Sequence, residues 1–175
     1  LALERSTKQN GVVINADSMQ LYDGLHCLTA QPSQDDLKTC PHKLYSALHP
    51  NQSCSAGNWR EMVIPLIEAC FEKQQTPIIV GGSGLYIKAL LEGLSPIPDI
   101  PEEIRAASVQ KQAELGNPLF YEELKGRDPE MAKRLHPYHT ARLIRAWEVL
   151  ETTGKSLAEW QNLPLDAPPQ DWLFH

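Results

Sequence analysis

The 175 residues carry 16 Lys and Arg against 22 Asp and Glu, a formal net charge of -6. That balance gives no support to a globally basic nucleic-acid binder, so any such contact has to be local. At 42% hydrophobic and 22% charged residues, the composition is that of a soluble globular chain, large enough for one good-sized core or a core with a small satellite.

The longest apolar runs, such as Thr76 to Val80, are far too short to span a bilayer. Leu1 to Arg5 has no apolar stretch or cleavage site of a signal peptide. The four cysteines, Cys27, Cys40, Cys54 and Cys70, contain no Cys-x-x-Cys pair, which argues against zinc. They are expected as reduced thiols of a cytoplasmic protein.

In chain order, Leu1 to Lys8 reads as a helix stopped by Asn10-Gly11, with no capping residue before it. The missing start signal creates the expectation that residues upstream are absent from this chain. Val12-Val13-Ile14 is a β-branched apolar run, the pattern of a buried parallel strand, and it ends in Asn15-Ala16-Asp17-Ser18. A long polar stretch follows. Ser55 then caps a helix in which Trp59, Met62, Val63, Leu66, Ile67, Cys70 and Phe71 share a face, with a kink expected at Pro65. Pro77-Ile78-Ile79-Val80 reads as a second strand, ending in Gly81-Gly82-Ser83-Gly84 and then a helix from Leu85 to Leu94. Strand and helix in alternation predict a parallel α/β sheet.

From Ser95 the strand patterns stop. Pro101, Asp128-Pro129 and Thr140 each open a helix, and Gly154 closes the last of them. Residues 99–165 are therefore expected to form a helical domain inserted into an α/β core made of 1–98 and 166–175. Trp172-Leu173-Phe174 is expected to return to the sheet as a strand.

Ligands of parallel sheets bind at the carboxyl ends of the strands. The first strand delivers Asp17 and Ser18 there. The second delivers Gly81, Gly82 and Ser83, whose backbone N–H groups and following helix suit an anion. Two plainer readings stand beside these. Asp17-Ser18 could cap a helix through Met19 to Tyr22, and the glycines could form a tight turn with no ligand. Position 87 is Ile, so the turn is not a dinucleotide fingerprint, and no G-x-x-x-x-G-K-[ST] occurs. Arg142 and Arg145 share a helical face and can grip phosphates, although a solvated helix face is the plainer reading.

Taken in order, these segments resemble tRNA dimethylallyltransferases of the IPP transferase family. The matching stretches are Asp17-Ser18-Met19-Gln20-Leu21-Tyr22, Thr29-Ala30-Gln31-Pro32, Pro41-His42-Lys43-Leu44, Val80-Gly81-Gly82-Ser83-Gly84-Leu85-Tyr86, Leu91-Glu92-Gly93-Leu94, Arg142 to Val149 and Thr153-Gly154-Lys155-Ser156.

The resemblance implies a P-loop-NTPase-like parallel sheet core with a helical insertion. The P-loop would lie just before Leu1 and a further part after His175, both absent from this chain. It also implies transfer of a dimethylallyl group from dimethylallyl diphosphate, with Mg2+, to the exocyclic amine of the adenosine next to the anticodon of tRNA, by a monomeric cytoplasmic enzyme. Asp17 would be the general base. Asp17, Ser18, Met19, Gln20, Ser83, Arg105, Ala141, Arg142, Leu143, Ile144 and Arg145 would contact tRNA, and Gly81, Gly82 and Ser83 would lie near the diphosphate. Gln31 stands where the family commonly has a basic residue, and Ala141 where it often has Gln. An adenylate isopentenyltransferase and a P-loop metabolite kinase are the alternatives, and the arginine pair within 99–165 favours tRNA. Without the P-loop, the chain alone is expected to be inactive.

Overall fold

The structure, a computed structural model, describes residues 1–166, 172 and 174. It divides into two compact units, Leu1–Gly93 with Trp172 and Phe174, and Leu94–Asp166.

The first unit opens with α1 (Ala2–Gln9) and β1 (Gly11–Asn15). Asn10 takes the left-handed conformation that ends α1, at φ 50°. Every residue of β1 is buried, as its apolar run predicts. Helix α1 lies close on this strand because Gly11 has no side chain: a Cβ there would come within 2.8 Å of the Ser6 Cα. The Ser6 hydroxyl, itself buried, donates to the Gly11 carbonyl at 2.7 Å.

The polar stretch between the expected strands holds α2 (His26–Thr29), α3 (Gln34–Thr39) and β2 (His42–Lys43). None of the three announces itself by apolar periodicity. Helix α3 is set by a reciprocal cap, in which Ser33 accepts from the Asp36 N–H and Asp36 accepts from the Ser33 N–H. The same device, with Ser55 and Asn58, starts α4 (Ala56–Glu72). That helix continues through Pro65 as one element, and it buries Trp59, Val63, Ile67 and Cys70 while Phe71 stays exposed. Next come β3 (Thr76–Val80) and α5 (Gly84–Glu92). The three strands run parallel in the order β2-β1-β3. Pro77 sits in β3 opposite Val12, and among the described residues β3 is an edge, where a missing N–H costs no ladder bond.

The second unit is helical: α6 (Glu102–Arg127), α7 (Pro129–Arg134), α8 (Thr140–Thr153) and α9 (Leu157–Gln161). Gly116, at φ 68° and ψ 166°, breaks α6 into two helical stretches. Thr140 was the expected cap of α8, but His139 holds that position without a side-chain bond. The Thr140 hydroxyl instead joins Asn117, which donates to it at 2.9 Å. Phe120, Leu124, Met131, Leu143, Ala146, Trp147 and Val149 form the core, with the Phe120 and Trp147 rings 5.2 Å apart. The four cysteines are free thiols, and no described helix is long and apolar enough to cross a membrane. The expected strand Trp172-Leu173-Phe174 includes Leu173, which lies outside the described residues.

Leu143 is fully buried in the helical core. Leu143→Ala is expected to lower unfolding free energy by about 2–5 kcal/mol, measured by chemical denaturation of the intact protein.

Candidate functional site

The chemistry-bearing residues of the first unit meet at the carboxyl ends of β1 and β3. Asn15, the last residue of β1, is completely buried. Its side-chain amide donates to the Asp17 and Leu44 carbonyls, both at 2.9 Å, while its side-chain oxygen accepts from the Asp17 N–H at 2.8 Å. The Trp59 indole N–H donates to the Asn15 carbonyl at 2.9 Å. One buried amide thus fixes where the chain leaves β1, and with it the position of Asp17.

The β3 end is joined to the same point. Ala16 N–H donates to the Val80 carbonyl at 2.7 Å, and Ser83 N–H donates back to the Ala16 carbonyl at 3.1 Å. The Ser18 N–H donates to the Ser83 hydroxyl at 2.8 Å. A Cβ on Gly81 would lie 2.1 Å from the Ala16 carbonyl carbon, so only glycine fits there. A Cβ on Gly82 would meet nothing nearer than Asp17 Oδ2, at 3.7 Å. The glycine turn therefore serves close backbone approach. Ser83 donates its N–H to the Ala16 carbonyl, and its hydroxyl oxygen accepts from the Ser18 N–H.

Asp17 is half-buried, and residues 18–21 form turns before Tyr22 pairs with Leu48, which removes the helix-cap reading. Its Oδ1 accepts from the Met19 N–H at 2.9 Å, and Met19 itself is exposed. Gln20 turns away, donating to the Thr29 carbonyl at 2.6 Å. Gln31 donates to the Tyr22 carbonyl at 3.0 Å and accepts from the Ser46 hydroxyl at 2.7 Å. It acts as a loop brace, a role that a basic side chain, having no acceptor, could not fill.

Two phenols feel the Asp17 charge. Burial raises the Tyr45 pKa, and the charge of Asp17 raises it further. Burial also pushes Tyr86 well above the ordinary phenol value, followed by its contact with Cys54 and by nearby groups including Asp17. Both phenols are therefore neutral at physiological pH. Tyr86 stacks on Trp59 with rings 4.9 Å apart, which ties α5 to α4 behind the site.

In the second unit, Arg105, Ala141 and Arg142 are exposed. Arg145 is half-buried, with Nη1 3.5 Å from a Glu148 carboxylate oxygen. Leu143 and Ile144 belong to the helical core or pack against it, so their side chains serve folding. A cleft of about 400 Å³ opens between α6 and α8. Its Lys111 and Arg127 both lie over the Trp147 ring and pair with Glu123 and Glu151, which leaves the cleft without net charge.

A family model described as IPP transferase matches residues 20–174. The chain belongs to the IPP transferase family. It is 50% identical over 164 residues to a tRNA dimethylallyltransferase of Paramagnetospirillum magneticum, covering 94% of this chain and 52% of that protein. A tRNA dimethylallyltransferase of Rhodospirillum centenum is 46% identical over 174 residues, covering 99% and 55% respectively. The chain thus spans about half the length of these curated relatives.

Among solved structures, the full-length tRNA isopentenylpyrophosphate transferase of Bacillus halodurans matches with a TM-score of 0.53 at 31% identity, over 88% of this chain and 51% of that one. A eukaryotic dimethylallyltransferase acting on tRNA matches with a TM-score of 0.78 over 95% of this chain and 42% of that one; at 24% identity it speaks for the fold alone.

The residue that sequence reasoning undervalued is Asn15. The available signal was a polar side chain closing an otherwise apolar strand. The two glycines give a paired test. Gly81→Ala is expected to lower the thermal midpoint of the intact protein, because backbone must move to admit the methyl group. Gly82→Ala is expected to leave the midpoint near wild type. Equal midpoints for the two variants would remove the close-approach explanation.

Proposed function

We propose that this IPP transferase chain takes part in transferring a dimethylallyl group from dimethylallyl diphosphate to the exocyclic amine of the adenosine 3′-adjacent to the anticodon of tRNA, with Asp17 as general base. The observation that supports this most is the half-buried Asp17 carboxylate at the end of the central parallel strand, fixed by Asn15 and beside the glycine turn.

The chemistry needs such a group. The adenine amine is a weak nucleophile because its lone pair is delocalised into the ring. As N6 attacks the prenyl C1, the C–O bond to diphosphate breaks and its electron pair leaves with the diphosphate. The N6 proton passes to Asp17, which lowers the barrier to attack. Asp17 Oδ1 is held by the Met19 N–H, and Oδ2 lies towards Gly82, so one oxygen orients the group while the other is the candidate proton acceptor. The neutral Tyr45 and Tyr86 phenols keep further negative charge away from it. The base must leave its stack to reach this point, at a cost of a few kcal/mol.

Among the described residues no three His, Cys, Asp or Glu side chains come together as a metal site. Magnesium is commonly held by one or two protein oxygens together with substrate phosphates and water, so the Mg2+ of this proposal would accompany the diphosphate and neutralise part of its charge. Arg105, Ala141, Arg142 and Arg145 present an exposed or half-exposed helical surface to which we assign contacts with the tRNA anticodon stem-loop.

Transfer of labelled prenyl from dimethylallyl diphosphate by the intact protein, offered tRNA and free adenosine phosphates in parallel, tests the reading. Label in tRNA alone is expected, and label only in free nucleotide overturns it in favour of an adenylate isopentenyltransferase. Asp17→Asn is expected to cut turnover about 10²–10⁴-fold while tRNA affinity is kept. Unchanged turnover would remove Asp17 from the base role.

A further inference from the structure

We infer that the exposed ring cluster between α7 and α8, built from His136, Tyr138 and His139, is a stacking platform for unpaired bases of the bound RNA. The inference rests on the proposed tRNA reading and deepens it, naming a contact that the arginine pair does not supply.

The cluster is exposed and assembled. Tyr138 is 70% exposed, among the most open of the large side chains. The His136 ring lies 5.7 Å from the Tyr138 ring and 5.4 Å from that of His139. The segment is held by its own bonds: the Tyr138 N–H donates to His136 Nδ1 at 3.2 Å, and the His139 N–H to the His136 carbonyl at 3.0 Å. Immediately afterwards, the Thr140 hydroxyl is tied to Asn117 on α6. These bonds fix the backbone of the turn and the His136 ring, so the platform loses less freedom when a ligand stacks on it.

Charge around the cluster selects a polyanion. From Met131 to Trp147 the chain carries Lys133, Arg134, Arg142 and Arg145 and no Asp or Glu, within a protein of net charge -6. Arg134 pairs with Glu130, and Arg145 reaches Glu148. Among the described residues, Lys133 and Arg142, on either side of the rings, are not paired with a carboxylate. Aromatic faces flanked by unpaired cations suit single-stranded nucleic acid, whose bases stack on rings while phosphates meet the cations. A closed duplex offers no base face, so the occupant argued for is an unpaired RNA loop.

The test measures binding of the intact protein to two RNA probes, a hairpin with an unpaired loop and the same stem closed into a continuous duplex. Tyr138→Ala is expected to weaken hairpin binding roughly ten-fold or more and to leave duplex binding unchanged. Tyr138→Phe, which keeps the ring face, is expected to retain wild-type affinity. Because Tyr138 lies at the surface, the variants are expected to share the wild-type unfolding midpoint.

Hairpin binding unchanged by Tyr138→Ala, or an equal loss on both probes, overturns the stacking contact while the prenyl-transfer reading stands. Wild-type protein that binds neither RNA overturns both.

Discussion

The candidate site depends on one buried amide. Asn15 sits at the junction of the central strand and the segment that carries Asp17, with no exposed surface. A primary amide both donates and accepts, so a single side chain can satisfy the Asp17 N–H, the Asp17 carbonyl and the Leu44 carbonyl together. Each such bond is worth only about 0.5–1.5 kcal/mol net, but a partner left unsatisfied in a buried setting costs about 1–3 kcal/mol. The strand exit is therefore held more firmly than its few contacts suggest. The Trp59 indole on the Asn15 carbonyl extends this hold into α4, and Tyr86 stacked on Trp59 extends it into α5. A carboxylate that receives a proton at a defined point needs this kind of support, because a misplacement of about 1 Å can cost a factor of about a hundred in rate.

The close contact between the two strand ends fits the same logic. Gly81 approaches Ala16 at a distance that no side chain permits, and Ser83 meets the adjoining segment through its N–H, which donates to Ala16, and its hydroxyl oxygen, which accepts from Ser18. The glycine-rich turn resembles a phosphate cradle in sequence. In the structure its first task is to join the ends of β1 and β3, so that Asp17 is placed by two strands at once. A turn that looks permissive in composition is here among the most constrained parts of the first unit.

Legibility from sequence followed the physical origin of each element. Strand β1 was readable because burial on both faces demands a β-branched apolar run, and the half-buried edge strand β3 carries a similar run, Ile78-Ile79-Val80. Helix α4 was readable because one face must be apolar. The short elements α2, α3 and β2 were not, since none carries a hydrophobic period: a reciprocal cap sets α3, a two-residue pairing with β1 sets β2, and α2 is a single turn without a side-chain cap. Asp17, the glycine turn and the arginine pair were legible as residues, but their roles were not. Whether Asp17 capped a helix or stood at a strand end depended on Asn15, and the place of the Ser83 hydroxyl depended on the Ser18 N–H. Both contacts join residues whose proximity only the folded chain creates. Leu143 and Ile144 show the converse case: they sit within a matching motif, yet their side chains are committed to the helical core.

The acidic total charge, awkward for any RNA-binding proposal, loses its force once charge is read by segment. Screening limits a surface charge to roughly 8–10 Å, so acids elsewhere on the chain do little to a phosphate beside α8. The segment from Met131 to Trp147 has no acid of its own, and the carboxylates that flank it in sequence, Glu130 and Glu148, engage Arg134 and Arg145. What remains for a partner is a pair of cations around exposed rings. A net charge averaged over the chain conceals this local surplus, and it is the local field, combined with faces on which bases can stack, that decides whether a helical surface attracts an RNA loop or remains solvated.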